Sequence, residues 1–401
     1  MHGLFSRRLF LLALLAVAAY WTYDSLRAMG VFRTVVEQSA GPSRRLQVPG
    51  LVGVEDISID PTTGVAYLSA TDRRAQLAGK APMGAIFRYD LRDPNAVPQR
   101  ISKEADSFAP HGLSLWRGPT GELELYVIDH GEGQHRVRRY SVGEQVLEPV
   151  QTYASPELVS PNDLAAVGPG RFYVTNDHFF VAQPWRTLED YLRLPIAQLV
   201  YFDQGQARVV QGGFAYANGV AWHAGRQELF VAALGNNQVR AYRSSADGSL
   251  TERARFDADS AVDNIEIGTD GALWIGAHPK PLQFIGHAKD ASKRSPSQVL
   301  RMDPQTGAVS TVYQNLGQEI SASSVGAQWQ DRLLIGSVFE PLVIDVRLGV
   351  KAAALGAARP LSIGCRRHSF TTEPENQINP MSVCARVTNI ARNQLLADCG
   401  P

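Results

Sequence analysis

Acidic and amide side chains recur in this sequence directly before short apolar runs. The clearest case is Asn162-Asp163, which precedes the run from Leu164 to Val167. Carboxylate and amide oxygens are hard donors that suit a cation such as Ca²⁺. Neighbouring residues of a strand point to opposite sides, so the two side chains could serve two different centres. An Asn-Asp pair is also common in turns, and the recurrence of the pattern is therefore what indicates a cation site.

The polar residues that stand directly before such an apolar run are called its head. Six heads, including Asn162-Asp163, follow one another at intervals of 45 to 60 residues. Each head leads into a short apolar run, and five of the six continue through a turn that contains Gly. Units of this length with a hairpin signature are typical of β-propellers built from four-stranded blades. The innermost strand of a blade lines the central channel, so we expect the heads to converge at one mouth of it. The heads begin at Glu55, His111, Asn162, Asn218, Asp263 and Ser323.

Composition agrees with an all-β fold and excludes some functions. The 401 residues include 44 % hydrophobic residues, enough for a large core, and 35 Gly and 23 Pro, which many turns would require. A net charge of zero does not indicate the excess of basic residues that is typical of nucleic-acid-binding proteins. We therefore predict a six-bladed β-propeller over residues 45–350, with a central channel. Two packed β-sandwich domains are the alternative, which would leave the periodic heads unexplained.

The N-terminus predicts export. Arg7-Arg8 precede an apolar run from Leu9 to Tyr23, which reads as a secretory signal or a single anchor helix and also resembles a twin-arginine signal. The run has 15 residues, fewer than the ~20 of a membrane-spanning helix. Residues 1–30 are thus a signal or anchor segment of a periplasmic, extracellular or membrane-anchored protein. Cleavage near Ala16-Val17-Ala18 and retention as an anchor both stay open.

The C-terminal residues 351–401 are predicted to form an irregular tail. All three cysteines lie there, at Cys365, Cys384 and Cys399. An oxidising compartment permits one disulfide with a thiol left over, and the spacing does not suggest zinc.

The segment 181–194 departs from the strand pattern. Its apolar residues recur at helical spacing after Pro184, which predicts a short amphipathic helix. Such a helix could be a lid, a membrane-facing patch or a simple cover packed on the propeller.

The residues around the heads also form longer motifs. These are Gly53-Val54-Glu55-Asp56-Ile57, Ala109-Pro110-His111-Gly112, Ser160-Pro161-Asn162-Asp163, Ala217-Asn218-Gly219 and Val262-Asp263-Asn264-Ile265. In this order, from about Gly50 to Leu348, they resemble the serum paraoxonase/arylesterase family. The resemblance implies a six-bladed propeller with two calcium ions in its channel, one catalytic and one structural, and the activity of a calcium-dependent lactonase and arylesterase.

The resemblance also implies a ligand set for each ion. The catalytic calcium would be held by Glu55, Asn162, Asn218, Asp263 and Asn264. The structural calcium would be held by Asp56, Asp163 and the backbone carbonyl of Leu113. Calcium takes 6–8 ligands, so five oxygens leave a position or two for water and substrate.

Four histidines match positions of the same family. His111 and His130 correspond to the pair proposed to activate water, and an imidazole with a pKa near ~6.5 suits a base at neutral pH. The alternative is that each is a structural residue. His178 would orient the corner at Asn176-Asp177, and His278 would contact substrate.

Two features depart from the family pattern. No cysteine precedes Cys365, so the family's disulfide across the propeller is missing. Closure must rest on strand pairing, or the tail cysteines pair with one another. After His278 the sequence reads Pro279-Lys280-Pro281, which differs from the family and leaves the substrate preference open.

Three functional hypotheses follow. The first is hydrolysis of small lactones and aryl esters, with organophosphates as a side activity, by a calcium-polarised carbonyl and histidine-activated water; no G-x-S-x-G nucleophile motif is present. The second is a sugar-lactone hydrolase of the gluconolactonase type that uses another divalent metal. The third is a non-enzymatic propeller that serves as a binding module. No nucleic-acid partner is expected, membrane association would come through the N-terminal segment, and the oligomeric state stays open.

Overall fold

Six antiparallel sheets of four strands each surround a central channel in the computed structural model, which describes residues 2–103 and 107–349, with side chains from residue 9. The predicted six-bladed β-propeller is thereby confirmed. In chain order the strands are β1 (Ser43–Leu46), β2 (Val54–Ile59), β3 (Val65–Ala70), β4 (Ala85–Asp90), β5 (Gln99–Arg100), β6 (Pro110–Arg117), β7 (Leu123–Asp129), β8 (Arg136–Val142), β9 (Leu147–Tyr153), β10 (Pro161–Gly168), β11 (Arg171–Asn176), β12 (Ala197–Asp203), β13 (Gln206–Phe214), β14 (Ala217–His223), β15 (Glu228–Ala233), β16 (Gln238–Ser244), β17 (Leu250–Asp257), β18 (Ala261–Ile267), β19 (Leu273–His278), β20 (Ser297–Met302), β21 (Val309–Asn315), β22 (Ser323–Trp329), β23 (Arg332–Ser337) and β24 (Val343–Arg347).

Blades 1 to 5 each use four consecutive strands, from β2–β5 through β18–β21, while blade 6 has the order β1-β24-β23-β22. The first strand of the chain therefore completes the last blade. Ser43 pairs with Val346 and Leu46 with Val343 in an antiparallel ladder. Strand pairing closes the ring, as one of the two predicted alternatives required. Cys365, Cys384 and Cys399 lie outside the described residues.

The first strand of every blade is the inner one, and each inner strand packs against the inner strands of both neighbouring blades. Apolar clusters fill the space between blades. One of them joins Tyr126 of blade 2 to Phe172 and Phe202 of blade 3, and these two phenylalanine rings stack with their centroids 4.6 Å apart. Packing of this kind fixes the inner strands as a rigid frame for whatever lies at their ends.

Each inner strand contains a β-bulge at its polar head. Between the pairs Pro161↔Asn176 and Leu164↔Val174, the inner strand has one residue more than its partner. A bulge leaves residues unpaired and redirects their side chains. The side chains of Asn162 and Asp163 thus point in different directions because of a bulge, and not because of the alternation expected of a regular strand. The same extra residue occurs between Val54 and Asp56, Pro110 and Leu113, Ala217 and Val220, Val262 and Ile265, and Ser323 and Val325.

Two heads also contain a glycine that the packing requires. A Cβ on Gly112 would lie 2.5 Å from the Cα of Asp163, and one on Gly219 would lie 2.6 Å from the Cα of Asn264. Neither position has room for a side chain, because the adjacent inner strand passes directly beside it. The glycines that follow His111 and Asn218 therefore let the heads approach one another.

Besides three short 3-10 helices, the described chain contains four α-helices: α1 (His2–Ala28), α2 (Arg73–Leu77), α3 (Trp185–Leu192) and α4 (Pro281–Lys289). The predicted short helix is present as α3. In α1, residues Leu9–Ala28 are long and apolar enough to cross a membrane, as a signal sequence would also be. The apolar run of 15 residues from Leu9 to Tyr23 thus lies within a longer helix, which continues to Ala28. The Asp24 carboxylate pairs with Arg193, and the carbonyl of Ala28 accepts a hydrogen bond from Asn237.

Candidate active site and metal centres

The structure places the predicted ligands of the first ion in the bulged heads of four inner strands, at one mouth of the channel. Asn264 of blade 5 donates through Nδ2 to the Glu55 carboxylate of blade 1 at 2.9 Å. The Glu55 carboxylate in turn lies 3.4 Å from His111 Nε2 of blade 2. Glu55, Asn162, Asn218, Asp263 and Asn264 are all buried, with no more than 4 % of each exposed. The heads of blades 1, 2 and 5 thus meet at this mouth.

Four of these five residues bury an oxygen that has no hydrogen-bond partner. An unpartnered buried acceptor costs about 1–3 kcal/mol, so each of these oxygens needs a compensating interaction. Glu55 Oε2 has His111 and Arg73 at 3.4 and 3.8 Å, whereas no protein group satisfies the three amide oxygens. The Nδ2 atoms of Asn162 and Asn264 are engaged by Asp177 and Glu55, which leaves their carbonyl oxygens free. The residues therefore fit a cation that prefers oxygen ligands. The unpartnered atoms are Glu55 Oε2, Asn162 Oδ1, Asn218 Oδ1 and Asn264 Oδ1.

The fit is to oxygen-binding cations and not to zinc. In the part of the chain that the structure describes, no three His, Cys, Asp or Glu side chains are grouped to hold a metal. The candidate set contains only two carboxylates, Glu55 and Asp263, and relies on amide oxygens for the rest. Ca²⁺ accepts such a mixture, whereas Zn²⁺ sites use Cys and His.

The second predicted centre, at Asp56 and Asp163, has a different character. The Asp56 carboxylate accepts N–H bonds from Ile57 at 2.8 Å and from Leu113 of blade 2 at 2.7 Å. Leu113 thus contacts Asp56 through its N–H, whereas the prediction concerns its carbonyl oxygen as a ligand. The Asp163 carboxylate accepts N–H bonds from Leu164 and from Val220 of blade 4, both at 2.7 Å. Each carboxylate therefore ties its blade to the next one.

Negative charge accumulates between these two carboxylates. Burial, and after it the neighbouring Glu55 carboxylate, raise the pKa of Asp56 to about 8. Burial and the Asp56 carboxylate raise the pKa of Asp163 well above its usual value. Buried carboxylates in this situation are stabilised by a cation, so these residues also fit a second ion.

Three histidines, rather than the predicted pair, lie side by side next to the first centre. His111 Nδ1 is 2.9 Å from His130 Nε2, and His130 Nδ1 is 2.8 Å from His135 Nδ1. The sequence analysis missed His135. The signal for it was its spacing, five residues after His130 across the short turn Gly131–Gly133. Burial and the two neighbouring imidazoles lower the pKa of His130 well below its usual range.

His178 lies between two carboxylates. Its Nδ1 is 2.7 Å from Asp177 and its Nε2 is 2.8 Å from Asp190 of α3. Burial opposes its protonation, but the two hydrogen bonds raise the pKa of His178 to about 9. Asp177 also accepts a hydrogen bond from Asn162. His178 therefore connects a partner of a predicted metal ligand to α3.

His278 lies behind a predicted ligand. Its Nε2 is 2.7 Å from Asp263 Oδ2, its ring packs on Phe284 at a centroid distance of 4.3 Å, and it is 3 % exposed. Nδ1 of the same ring is buried without a partner. Contact with substrate, which the sequence analysis expected, would have to come through this nitrogen.

Two arginines beside the centre were also missed by sequence reasoning. The Arg73 guanidinium, at the start of α2, lies 3.8 Å from Glu55, and that of Arg186 in α3 lies 3.5 Å from Asp177. Both come from helices outside the strand repeat. They place positive charge at the rim of an otherwise acidic mouth.

Comparison with known proteins places this geometry in context. The chain matches the arylesterase family over residues 50–345. Serum paraoxonase/arylesterase 2 from Homo sapiens is 33 % identical over 299 residues, which is 72 % of this chain and 84 % of the relative. Serum paraoxonase/arylesterase 1 from Homo sapiens is 30 % identical over 300 residues, with the same coverage. The solved structure of regucalcin, a calcium-binding protein from Agrobacterium tumefaciens, has a TM-score of 0.46 and 13 % identity, covering 79 % of this chain and 96 % of that one.

Proposed function

Because the chain belongs to the arylesterase family and is an ester or lactone hydrolase, we propose that it hydrolyses lactones and aryl esters with the help of calcium at the channel mouth. One observation carries the choice of metal. Four buried oxygens at the mouth lack any hydrogen-bond partner, and the donors are carboxylates and amides, which suit calcium.

Two ions would occupy two separate sets of residues. Glu55, Asn162, Asn218, Asp263 and Asn264 would hold the catalytic ion. Asp56, Asp163 and the Leu113 carbonyl would hold the structural one. Bound at the first site, calcium would supply Lewis-acid polarisation of the ester carbonyl.

The base that activates water would be His111. Its Nδ1 is 2.9 Å from His130 Nε2, so a proton on Nδ1 leaves Nε2 as a free acceptor. Nε2 lies 3.4 Å from Glu55, at the centre where substrate and water would meet. In this proposal His130 Nε2 accepts the Nδ1 proton and so selects the tautomer that general-base catalysis needs.

We also propose that α1 directs the chain to export and holds it at a membrane. The apolar part of the helix has the length to span a bilayer, and Asp24 at its base pairs with Arg193 beside α3. Fractionation of cells that express the full chain, with mass spectrometry of its N-terminus, distinguishes retention from cleavage. A soluble, shortened product would contradict anchoring.

Removal and replacement of the metal test the proposed activity. The protein is treated with a calcium chelator, and hydrolysis of a lactone series with varied acyl chains, of phenyl acetate and of gluconolactone is measured before and after addition of Ca²⁺, Mn²⁺ or Zn²⁺. We expect activity on lactones and phenyl acetate to disappear on chelation and to return with Ca²⁺. Full activity after complete metal removal would contradict the proposal. Recovery with another metal, and preference for gluconolactone, would favour the sugar-lactone alternative.

A further inference from the structure

Three imidazoles beside the channel mouth form a row in which each ring has a nitrogen close to a nitrogen of the next. The rings of His111 and His130 meet edge to face, with centroids 5.1 Å apart and planes at 66°, and those of His130 and His135 are 4.9 Å apart at 90°. Nitrogen atoms face each other at 2.9 and 2.8 Å. This geometry is that of two successive N–H···N hydrogen bonds and not of ring stacking.

We propose that His135 completes a proton relay, His111–His130–His135, which connects the catalytic base to solvent. The proposal deepens the proposed function and rests on it, since it takes His111 as the base. His135 does not touch the reacting atoms; it acts through His130 and is a positioning residue.

The hydrogen bonds permit only one direction of donation once His111 is a base. A neutral imidazole has one donor and one acceptor nitrogen. If His111 keeps Nε2 free to accept, its Nδ1 donates to His130 Nε2. His130 Nδ1 then donates to His135 Nδ1, so the proton of His135 is on Nε2. His135 is only half-buried, so in this proposal its Nε2 is the end of the relay that exchanges protons with solvent.

The proton transfers balance over one turnover. Water loses a proton to His111 Nε2 and its oxygen forms a bond to the carbonyl carbon. The Nδ1 proton of His111 passes to His130, the Nδ1 proton of His130 passes to His135, and His135 releases its Nε2 proton to solvent. A proton from solvent then enters at His135 and passes back through His130 to His111 Nδ1, which restores the tautomers of His130 and His135. As the ester C–O bond breaks, the alkoxide takes the Nε2 proton of His111, which returns that ring to its neutral starting tautomer, and the acid product ionises in solution.

The surroundings suit a group that transmits a proton and does not retain it. Burial lowers the pKa of His135, and burial together with its neighbours lowers that of His130. Arg73 and Arg186 disfavour a positive imidazole in this region, while the Asp177 carboxylate favours it. Burial thus disfavours the doubly protonated form of both rings.

The turn that carries His135 is fixed by specific contacts. A Cβ on Gly131 would lie 2.0 Å from the carbonyl oxygen of Ser107, so no other residue fits there. The Asp129 carboxylate accepts an N–H bond from Gly131 at 2.9 Å and pairs with Arg136 at 2.8 Å. Asp129 thus holds both ends of the turn and keeps His135 against His130.

The test compares His135→Gln with the unaltered enzyme and with His223→Gln, a half-buried histidine outside the site. Lactone hydrolysis is measured at constant pH and ionic strength in low and high concentrations of imidazole buffer. We expect kcat of His135→Gln to fall about tenfold in low buffer, less than the ~10²–10⁴-fold contribution of a general acid or base itself, because His135 acts only through His130; KM should stay unchanged. High imidazole should restore it, while the unaltered enzyme and His223→Gln should not respond.

Two further results decide the interpretation. A His135→Gln kcat equal to that of the unaltered enzyme in low buffer, or a loss that imidazole does not restore, would overturn the relay. His135→Asn and melting curves of each variant keep the test valid if one variant folds poorly. Full activity of His111→Gln would contradict the proposed base itself. An inactive His111→Gln beside a buffer-independent His135→Gln would contradict only the relay.

Discussion

Asn162 and Asp163 are adjacent in the chain but have different environments. Asn162 buries an amide oxygen that no protein group satisfies, whereas both oxygens of Asp163 accept backbone N–H bonds. Asn162 therefore has an oxygen available for a cation, whereas Asp163 already links two blades. This difference predicts opposite outcomes when each is replaced.

Replacement of Asp163 should weaken the fold. Asp163→Ala leaves the N–H groups of Leu164 and Val220 buried without an acceptor, which should lower the free energy of unfolding by about 2–5 kcal/mol. Asp203→Ala, at an exposed position of β12, is the control and should change it by less than about 0.5 kcal/mol. Urea unfolding with chelator and with calcium measures both.

The loss for Asp163→Ala should be larger in calcium, because an ion bound only by the folded chain adds to its stability. If the Asp163 and Asp203 variants unfold at the same urea concentration in both conditions, Asp163 has no structural role.

Among the elements, α3 is tied to the site by an ion pair that responds to pH. His178 joins Asp177 at the end of β11 to Asp190 in α3. Its pKa in the folded protein, about 9, is above the ~6.5 of a free imidazole. The stabilisation is therefore complete below pH ~6.5 and is lost as the pH rises towards and through about 9.

We expect the amide protons of α3 to lose protection over this pH window. Hydrogen-exchange protection factors, corrected for the intrinsic pH dependence of exchange, measure the effect between Trp185 and Leu192. Asp190→Asn should lower protection at pH 7 and remove most of the pH dependence. Protection of α3 that stays constant up to pH 9 in the unaltered protein would show that His178 does not fasten the helix.

The elements differ in how far the sequence predicts them. The strand heads are readable because every blade must bury a strand of the same pattern, and α3 is readable from its apolar spacing. The bulges are not, since one extra residue becomes visible only against the paired strand. His135, Arg73 and Asp190 reach the site through turns and helices whose docking depends on tertiary contacts. The family resemblance supplied the ligand set, which the repeat alone would not have given.

For the whole molecule, the ring of blades explains why the site is rigid. Pairing of β1 with β24 closes the ring without a cysteine among the described residues. The inner strands then hold six bulged heads at one mouth, and carboxylates at the second centre connect neighbouring blades. The central claim is that this frame holds two calcium ions with separate roles.

Calcium content and lactone turnover of Asn162→Ala test this claim most directly. Asn162 contributes one unpartnered oxygen to the first centre and carries no blade-to-blade contact of the kind Asp163 makes. Isothermal titration and elemental analysis should find two calcium ions in the unaltered protein and one in Asn162→Ala, whose turnover should be lost while its melting temperature in chelator is unchanged. An Asn162→Ala protein that binds two ions and hydrolyses lactones at the unaltered rate would contradict the account.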